Sequence, residues 1–205
     1  MKNKMKVQQT KKKSGKIYYI TGNNSKFLEA KEIMKDSEVV LEQKDLKIQE
    51  IKSLEQEKVL LGKAREAFKQ LKKPLIIDDV GIYFEEYPKF PGTFTKFLFE
   101  AIGFEGIEKL LAGKNRNAYF RILLCYKDTK SEKVFEGILK GKIIENTQDL
   151  KNKDWQYDNI FVPENFKVSL SEIFLEERAK FSHRKKAFDK LLEWLNGKKK
   201  MERKK

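Results

Sequence analysis

His183, the only histidine of this 205-residue chain, stands between Ser182 and Arg184. Ser182 can cap a following helix whose apolar positions Ala187, Phe188, Leu191, Leu192 and Leu195 recur at helical spacing. His183 and Arg184 then fall in its first turn, where free backbone N–H groups and the helix dipole favour an oxygen-rich, electron-rich ligand. A surface helix with a chance histidine has the same composition, so other runs must decide.

Asp78-Asp79 follows the apolar run Leu75-Ile76-Ile77. Carboxylates at the carboxyl end of a central strand lie where open α/β sheets bind ligands. Two adjacent acids are costly unless a cation or a substrate proton offsets them. Side chains alternate along a strand, so one acid faces a cleft and the other its support. Glu50 is a candidate third oxygen donor. With one histidine and one cysteine a soft metal site is excluded, and a hard ion such as Mg²⁺ is the natural partner. A solvated acidic pair is the alternative.

Thr21-Gly22-Asn23-Asn24-Ser25-Lys26 joins a first strand to a first helix. A tight glycine turn, a helix start and a lysine can cradle phosphate without the Walker spacing, which is absent; an ordinary strand-to-helix turn reads alike. In Trp155-Gln156-Tyr157-Asp158, aromatic faces can sandwich a nucleobase while Asp158 fixes a ring N–H or orients a cation. Core packing of both rings is the plainer fate.

The elements that position these runs follow from periodicity and turn chemistry. Strands are predicted at Lys16–Ile20, Val39–Leu41, Leu75–Ile77, Ala118–Tyr126 and Lys133–Ile144. Helices are predicted at Ser25–Lys35, from a Ser53/Gln56 capping box to Leu71 with Leu54, Leu60 and Ala64 on one side, at Thr95–Ile102, at Ile107–Ala112, near Ser171–Leu175, and after Ser182. Pro91-Gly92 reads as a turn, and residues 154–161 as irregular. Alternating helices and strands predict an α/β fold, and the late adjacent strands make the sheet mixed.

The net charge of +14 invites a nucleic-acid reading. Yet residues 1–16 hold seven lysines and no acid, and residues 198–205 hold six basic residues against one acid, so the body between is left at only +2. The expected organisation is a flexible basic arm over 1–15, one domain over 16–197 and a basic tail over 198–205. Such ends give weak, salt-sensitive affinity for polyanions without a specific nucleic-acid site. No apolar run approaches the roughly 20 residues of a membrane helix, and no apolar stretch follows the basic N-terminus as a secretory leader needs. Cys125, within the apolar run 120–126, reads as a buried free thiol in a reducing compartment, hence a cytoplasmic protein.

Thr21-Gly22-Asn23 with Lys26 and Glu29, Asp78-Asp79 with Gly81, Pro91-Gly92 with Lys96, Leu110-Leu111-Ala112-Gly113 with Ala118-Tyr119, Phe135-Glu136-Gly137 with Gly141, Tyr157-Asp158 and Ser182-His183-Arg184 form an ordered series. In that order and spacing the chain resembles the inosine triphosphate pyrophosphatase family from about Ile17 to Leu195. It departs where Val80 replaces a small hydroxyl residue, Gln156 a glycine, Asn159 a proline and Arg178 a lysine. A guanidinium is no isostere of an ammonium, and Gln156 narrows the base pocket.

The resemblance implies a long mixed β-sheet with helices in two lobes and an active-site cleft between the lobes. It implies hydrolysis of ITP, dITP and XTP to the monophosphate and pyrophosphate, and a homodimer. In its terms Lys26, Lys63 and Lys96, with Thr21 and Asn23, hold the triphosphate. Glu50 and Asp79 hold Mg²⁺ or Mn²⁺. Asp79 activates or orients the attacking water, with Asp78 in support. Trp155 and Tyr157 flank the base, while Asp158, Arg178, His183 and Arg184 read its edge.

Overall fold

The computed structural model describes residues 15–145 and 157–202. The strands are β1 Lys16–Ile20, β2 Val40–Lys44, β3 Leu75–Phe84, β4 Pro91–Gly92, β5 Asn117–Lys127, β6 Glu132–Ile143 and β7 Phe161–Pro163. The helices are α1 Asn24–Ile33, α2 Gln56–Leu71, α3 Thr95–Leu110, α4 Leu175–Phe181 and α5 His183–Glu202, with 3-10 turns at Tyr157–Asn159 and Leu170–Glu172. The sheet runs β2-β1-β3-β5-β6-β7, with β4 beside β3. β1 is parallel to β2 and β3, and every later pairing is antiparallel, so the sheet is mixed as expected.

Strand alternation divides the core. Ile76, Ile122 and Leu124 pack with Ala187, Phe188 and Leu191 of α5. The next residues on the same strands, Leu75, Ile77, Leu123 and Cys125, pack with Leu60, Ala64 and Ala67 of α2 on the other face. A third group, including Ile82, Phe84, Ile107, Phe120 and Phe161, fills a second lobe beyond the acidic pair. β3 and β5 are long enough to run through both lobes.

Several local expectations change. β3 does not stop at the acids: Asp78 and Asp79 lie inside a ten-residue strand. The strand end that matters is that of β1, since Ile20 pairs with Ile77 and Asp78 emerges just beyond it. The Ser53/Gln56 capping box does not form. α2 starts at Gln56 after Glu55, Ser53 Oγ accepts from the Glu55 N–H, and Leu54 is 55% exposed. Pro91-Gly92 is a short strand, and α3 spans both expected helices through a break at Gly103, where φ is 60°. The helix α4 has no counterpart among the expected elements.

The boundary drawn at residue 197 falls inside α5. Lys198 donates to Asp128 at 2.7 Å and lies over the Trp194 and Tyr126 rings, so the helix carries the start of the basic tail. The arm's first 14 residues lie outside the described ones. Among the described residues no helix is long and apolar enough to cross a membrane.

Gly137 of β6 lets α5 dock. A Cβ there would come within 1.9 Å of the His183 carbonyl oxygen and 2.9 Å of the Ala187 nitrogen. Backbone cannot yield to a methyl group as a flexible side chain does. Gly137→Ala is therefore expected to cost about 3 kcal/mol, the upper part of the overpacking range. Urea unfolding checks this; an unchanged midpoint would show that α5 seats differently.

Candidate active site

The turn after β1 is ordered by its own side chains. Thr21 Oγ1 accepts from the Asn23 N–H at 3.1 Å, and Asn23 Oδ1 caps α1 by accepting from the Lys26 N–H at 3.0 Å. The cap aims Lys26 at Asp78, Nζ to Oδ2 3.0 Å. Asp78 is buried; its other oxygen accepts from the Tyr19 hydroxyl at 3.0 Å, and Arg184 Nη2 stands 3.6 Å away. Burial alone would raise its pKa, but Lys26, Arg184 and Lys63 outweigh burial and hold the carboxyl well below the usual range.

Asp79 faces the other way, as strand alternation requires. Its Oδ1 accepts from Lys63 Nζ at 3.2 Å, and its Oδ2 is buried without a hydrogen-bond partner. Burial raises its pKa, and the Lys63 charge offsets this only in part. Lys63 comes from the buried side of α2 and reaches the exposed Glu50 carboxylate at 2.8 Å as well as the Asp78 carbonyl at 3.2 Å. Burial opposes its charge, yet Asp79 and Glu50 win and raise the lysine's pKa. One ammonium thus bridges the two carboxylates that the resemblance assigns to a metal.

Among the described residues no three acidic, histidine or cysteine side chains gather into a ready cage. The donor set nonetheless fits a hard cation: Asp79 keeps one buried carboxylate oxygen, Oδ2, without a partner while its Oδ1 faces Lys63, and the exposed Glu50 carboxylate faces the same lysine. Mg²⁺ commonly takes one or two carboxylates and completes its shell with water and substrate phosphates.

A cavity of about 420 Å³ joins Thr21, Asn23, Lys26, Glu50, Lys63 and Asp78, with Lys96 at its rim. The Lys96 side chain is 80% exposed and 3.6 Å from Glu100, poised over the opening without being fixed there. A second cavity of about 180 Å³ shares Asn23 and Lys26 and is lined by Tyr157, Asp158, Arg178, His183 and Arg184. The two spaces therefore meet at Lys26. Trp155 and Gln156 lie outside the described residues.

The second cavity is built on paired charges. Arg178 donates to Asp158 at 2.8 Å, although burial still raises the Asp158 pKa despite that arginine. Arg184 donates to Glu29 Oε2 at 2.6 Å, and Ser182 Oγ donates to Glu29 Oε1 at 2.6 Å while accepting from the Lys185 N–H as the α5 cap. Burial works against the Glu29 charge, but Arg184, then His183 and Arg178, bring its pKa down to about 2. His183 stacks on Phe120, with centroids 5.1 Å apart, and its Nδ1 is buried without a partner. Burial and Arg184 lower its pKa to about 3, so it is neutral. The Tyr157 hydroxyl is likewise buried without a partner, its ring packed against Phe99.

Two residues support the site in roles that the sequence does not disclose. Glu29, one helical turn after Lys26, belongs to the opening motif, but its pairing with Ser182 and Arg184 is visible only in the fold. Gln56 has the spacing of half a capping box. Instead its amide donates to the Asp79 carbonyl at 3.0 Å and the Arg121 carbonyl at 3.2 Å and accepts from the Tyr83 hydroxyl, bracing β3 beside the acid.

A dITP/XTP pyrophosphatase of Saccharolobus solfataricus is 40% identical over 181 residues, covering 88% of this chain and 93% of that protein. One from Methanopyrus kandleri is 35% identical over 181 residues, with coverage of 87% and 95%. The solved Ham1 protein of Staphylococcus aureus is similar in fold, with a TM-score of 0.69 at 24% identity over 89% of this chain and 99% of its own. The Ham1 family model matches residues 17–194, and the chain belongs to the Ham1 family.

Proposed function

We propose that the protein hydrolyses deaminated purine nucleoside triphosphates (ITP, dITP and XTP) to the monophosphate and pyrophosphate, as a homodimer in the cytoplasm. The carrying observation is the meeting at Lys26 of a cavity lined by acids and lysines with a second one lined by His183 and paired arginines. The names of the curated relatives support the substrate class.

Phosphoryl transfer asks mainly for positioning and charge neutralisation. Lys26, Lys63 and Lys96 would hold the triphosphate. Mg²⁺ held by Asp79 and Glu50, or Mn²⁺ on the same oxygen donors, would neutralise phosphate charge and favour ionisation of water. Asp79, its basicity increased by burial, accepts a proton from the attacking water or orients it. Asp78, fully ionised beneath Lys26 and Arg184, keeps those cations in place.

Selectivity follows from buried polar atoms that need partners: His183 Nδ1, Arg184 Nε and the Tyr157 hydroxyl. Donors facing the purine O6 pair with hypoxanthine or xanthine but meet the adenine amino group donor to donor. Each buried donor left unpaired costs about 1–3 kcal/mol. Two such clashes select against adenine by orders of magnitude, whereas guanine shares O6 and is to be rejected at position 2 of the base.

Pyrophosphate release measured with ITP, XTP, dITP, GTP and ATP tests this. The expected result is strong preference for the first three, abolished by a chelator and restored by Mg²⁺. Even turnover of GTP and ATP would overturn the substrate class, and chelator-resistant activity the metal. Light scattering reads the dimer.

A further inference from the structure

We propose that Gln56 is a positioning residue for Asp79, the acid that the proposed function, on which this inference rests, places at the attacking water. The two neighbouring acids are secured differently. The Asp78 carboxylate is held directly, by the Tyr19 hydroxyl and Lys26, with Arg184 beside it. The Asp79 carboxylate takes one hydrogen bond among the described residues, from Lys63 to Oδ1 at 3.2 Å, and its Oδ2 has none. A single ammonium on a flexible stem, shared with Glu50, does not fix the direction of a carboxylate. The backbone must do so.

Both peptide carbonyls that flank the Asp79 Cα are held from α2. Lys63 Nζ donates to the Asp78 carbonyl at 3.2 Å, and Gln56 Nε2 donates to the Asp79 carbonyl at 3.0 Å. Gln56 opens α2 and Lys63 lies two turns further on, so the two share one face of the helix. The same amide of Gln56 reaches across to β5, donating to the carbonyl of Arg121, which stands opposite Gly81 in the sheet register, at 3.2 Å. With the peptides on either side of Asp79 fastened, the direction of its Cα–Cβ bond is set, and with it the arc open to the carboxylate.

Only an amide meets the demands of this place. Its two N–H groups serve two carbonyls while Oε1 accepts from the Tyr83 hydroxyl at 3.1 Å, in a residue that is 2% exposed. An ionised carboxylate would accept without donating, and a methionine of similar length would donate nothing. Tyr83 is in turn placed by stacking on Tyr119, with ring centroids 5.1 Å apart. Apolar packing already anchors α2 to the sheet through Leu60 and Ala64. What the amide adds is orientation at one residue.

A double-mutant cycle in kcat for pyrophosphate release, with Gln56→Met and Asp79→Asn made separately and together, tests the proposal. Gln56→Met should lower kcat by about 10²-fold and leave KM within about twofold, the scale of an ångström-sized misplacement of a reacting group. With Asp79→Asn already present it should change kcat by less than about twofold, since no carboxylate is left to aim. The Asp79 main chain is the same in both backgrounds, so Gln56→Met should lower the urea midpoint equally in each. Tyr83→Phe keeps the ring stack and should give a smaller loss of kcat that vanishes in the same way, which carries the test should Gln56→Met not fold. Near-parental kcat for these variants, or an equal loss in both backgrounds, would overturn the proposal and make Gln56 an anchor only. Near-parental kcat for Asp79→Asn would remove the acid, and no release by the parent would remove the proposed function; the role of Gln56 would fall with either.

Discussion

Asp79→Asn should lower kcat for pyrophosphate release by about 10³-fold, the middle of the range for a general base, while the fold stays intact. The substitution keeps the shape of the side chain and removes the charge. Lys63 loses a carboxylate partner but retains the Asp78 carbonyl and Glu50, so α2 stays anchored to β3. Burial already disfavours the ionised form of Asp79, so a neutral amide should leave the urea midpoint at neutral pH unchanged or slightly higher. Such a combination, activity lost and stability kept, is the mark of a group retained for chemistry at the expense of stability. A mutant with near-parental kcat would remove Asp79 from the reaction.

Acid should destabilise the protein in two overlapping stages, the first beginning unusually early. His183 is buried and neutral, with its pKa lowered from 6.5 to about 3 by burial and Arg184. Below pH 6.5 the unfolded chain takes up that proton and the folded one does not, so stability falls as pH drops until the folded pKa is reached. At about 1.4 kcal/mol per unit, some 2 kcal/mol should be gone by about pH 5 and about 5 near pH 3. Glu29 adds the second stage: its pKa falls from 4.5 to about 2, so its contribution is present above pH 4.5 and is lost toward pH 2, about 3 kcal/mol in all. Urea midpoints from about pH 8 to about pH 2 measure both. His183→Gln should flatten the curve between pH 6.5 and 4.5 and leave the lower stage. Equal midpoints for the parent at about pH 7 and about pH 5 would show that His183 is not held neutral.

How far the sequence discloses this site depends on how local each cause is. The turn at Thr21–Lys26 and the Ser182 cap are legible because their hydrogen bonds span two or three residues. The extent of β3 is not. Adjacent acids ordinarily end a buried strand, and only Tyr19, Lys26 and Arg184, drawn from two other elements and β1, let Asp78 stay inside one. α4 hides for a related reason: one of its two buried positions is Arg178, whose charge is answered by Asp158, and an inward arginine blurs an amphipathic pattern already only seven residues long. Gln56 misleads in the opposite sense, since its capping-box spacing from Ser53 is satisfied in sequence while its amide is drawn to the β3 and β5 backbones.

The contacts of Glu29 also set an order of assembly. Its partners Ser182 and Arg184 lie 153 and 155 residues further along the chain. At about 5–20 residues per second of synthesis, roughly 8–30 s separate the emergence of this carboxylate from that of its counter-ion. Throughout that interval the first strand and helix can form, but Glu29 cannot be buried without an uncompensated charge. The nascent chain must therefore keep its nucleotide cleft open to water until α5 arrives and closes this long loop. Catalytic competence then becomes a report that translation has passed Arg184, and an aborted chain bearing every acidic residue of the cleft would still lack it.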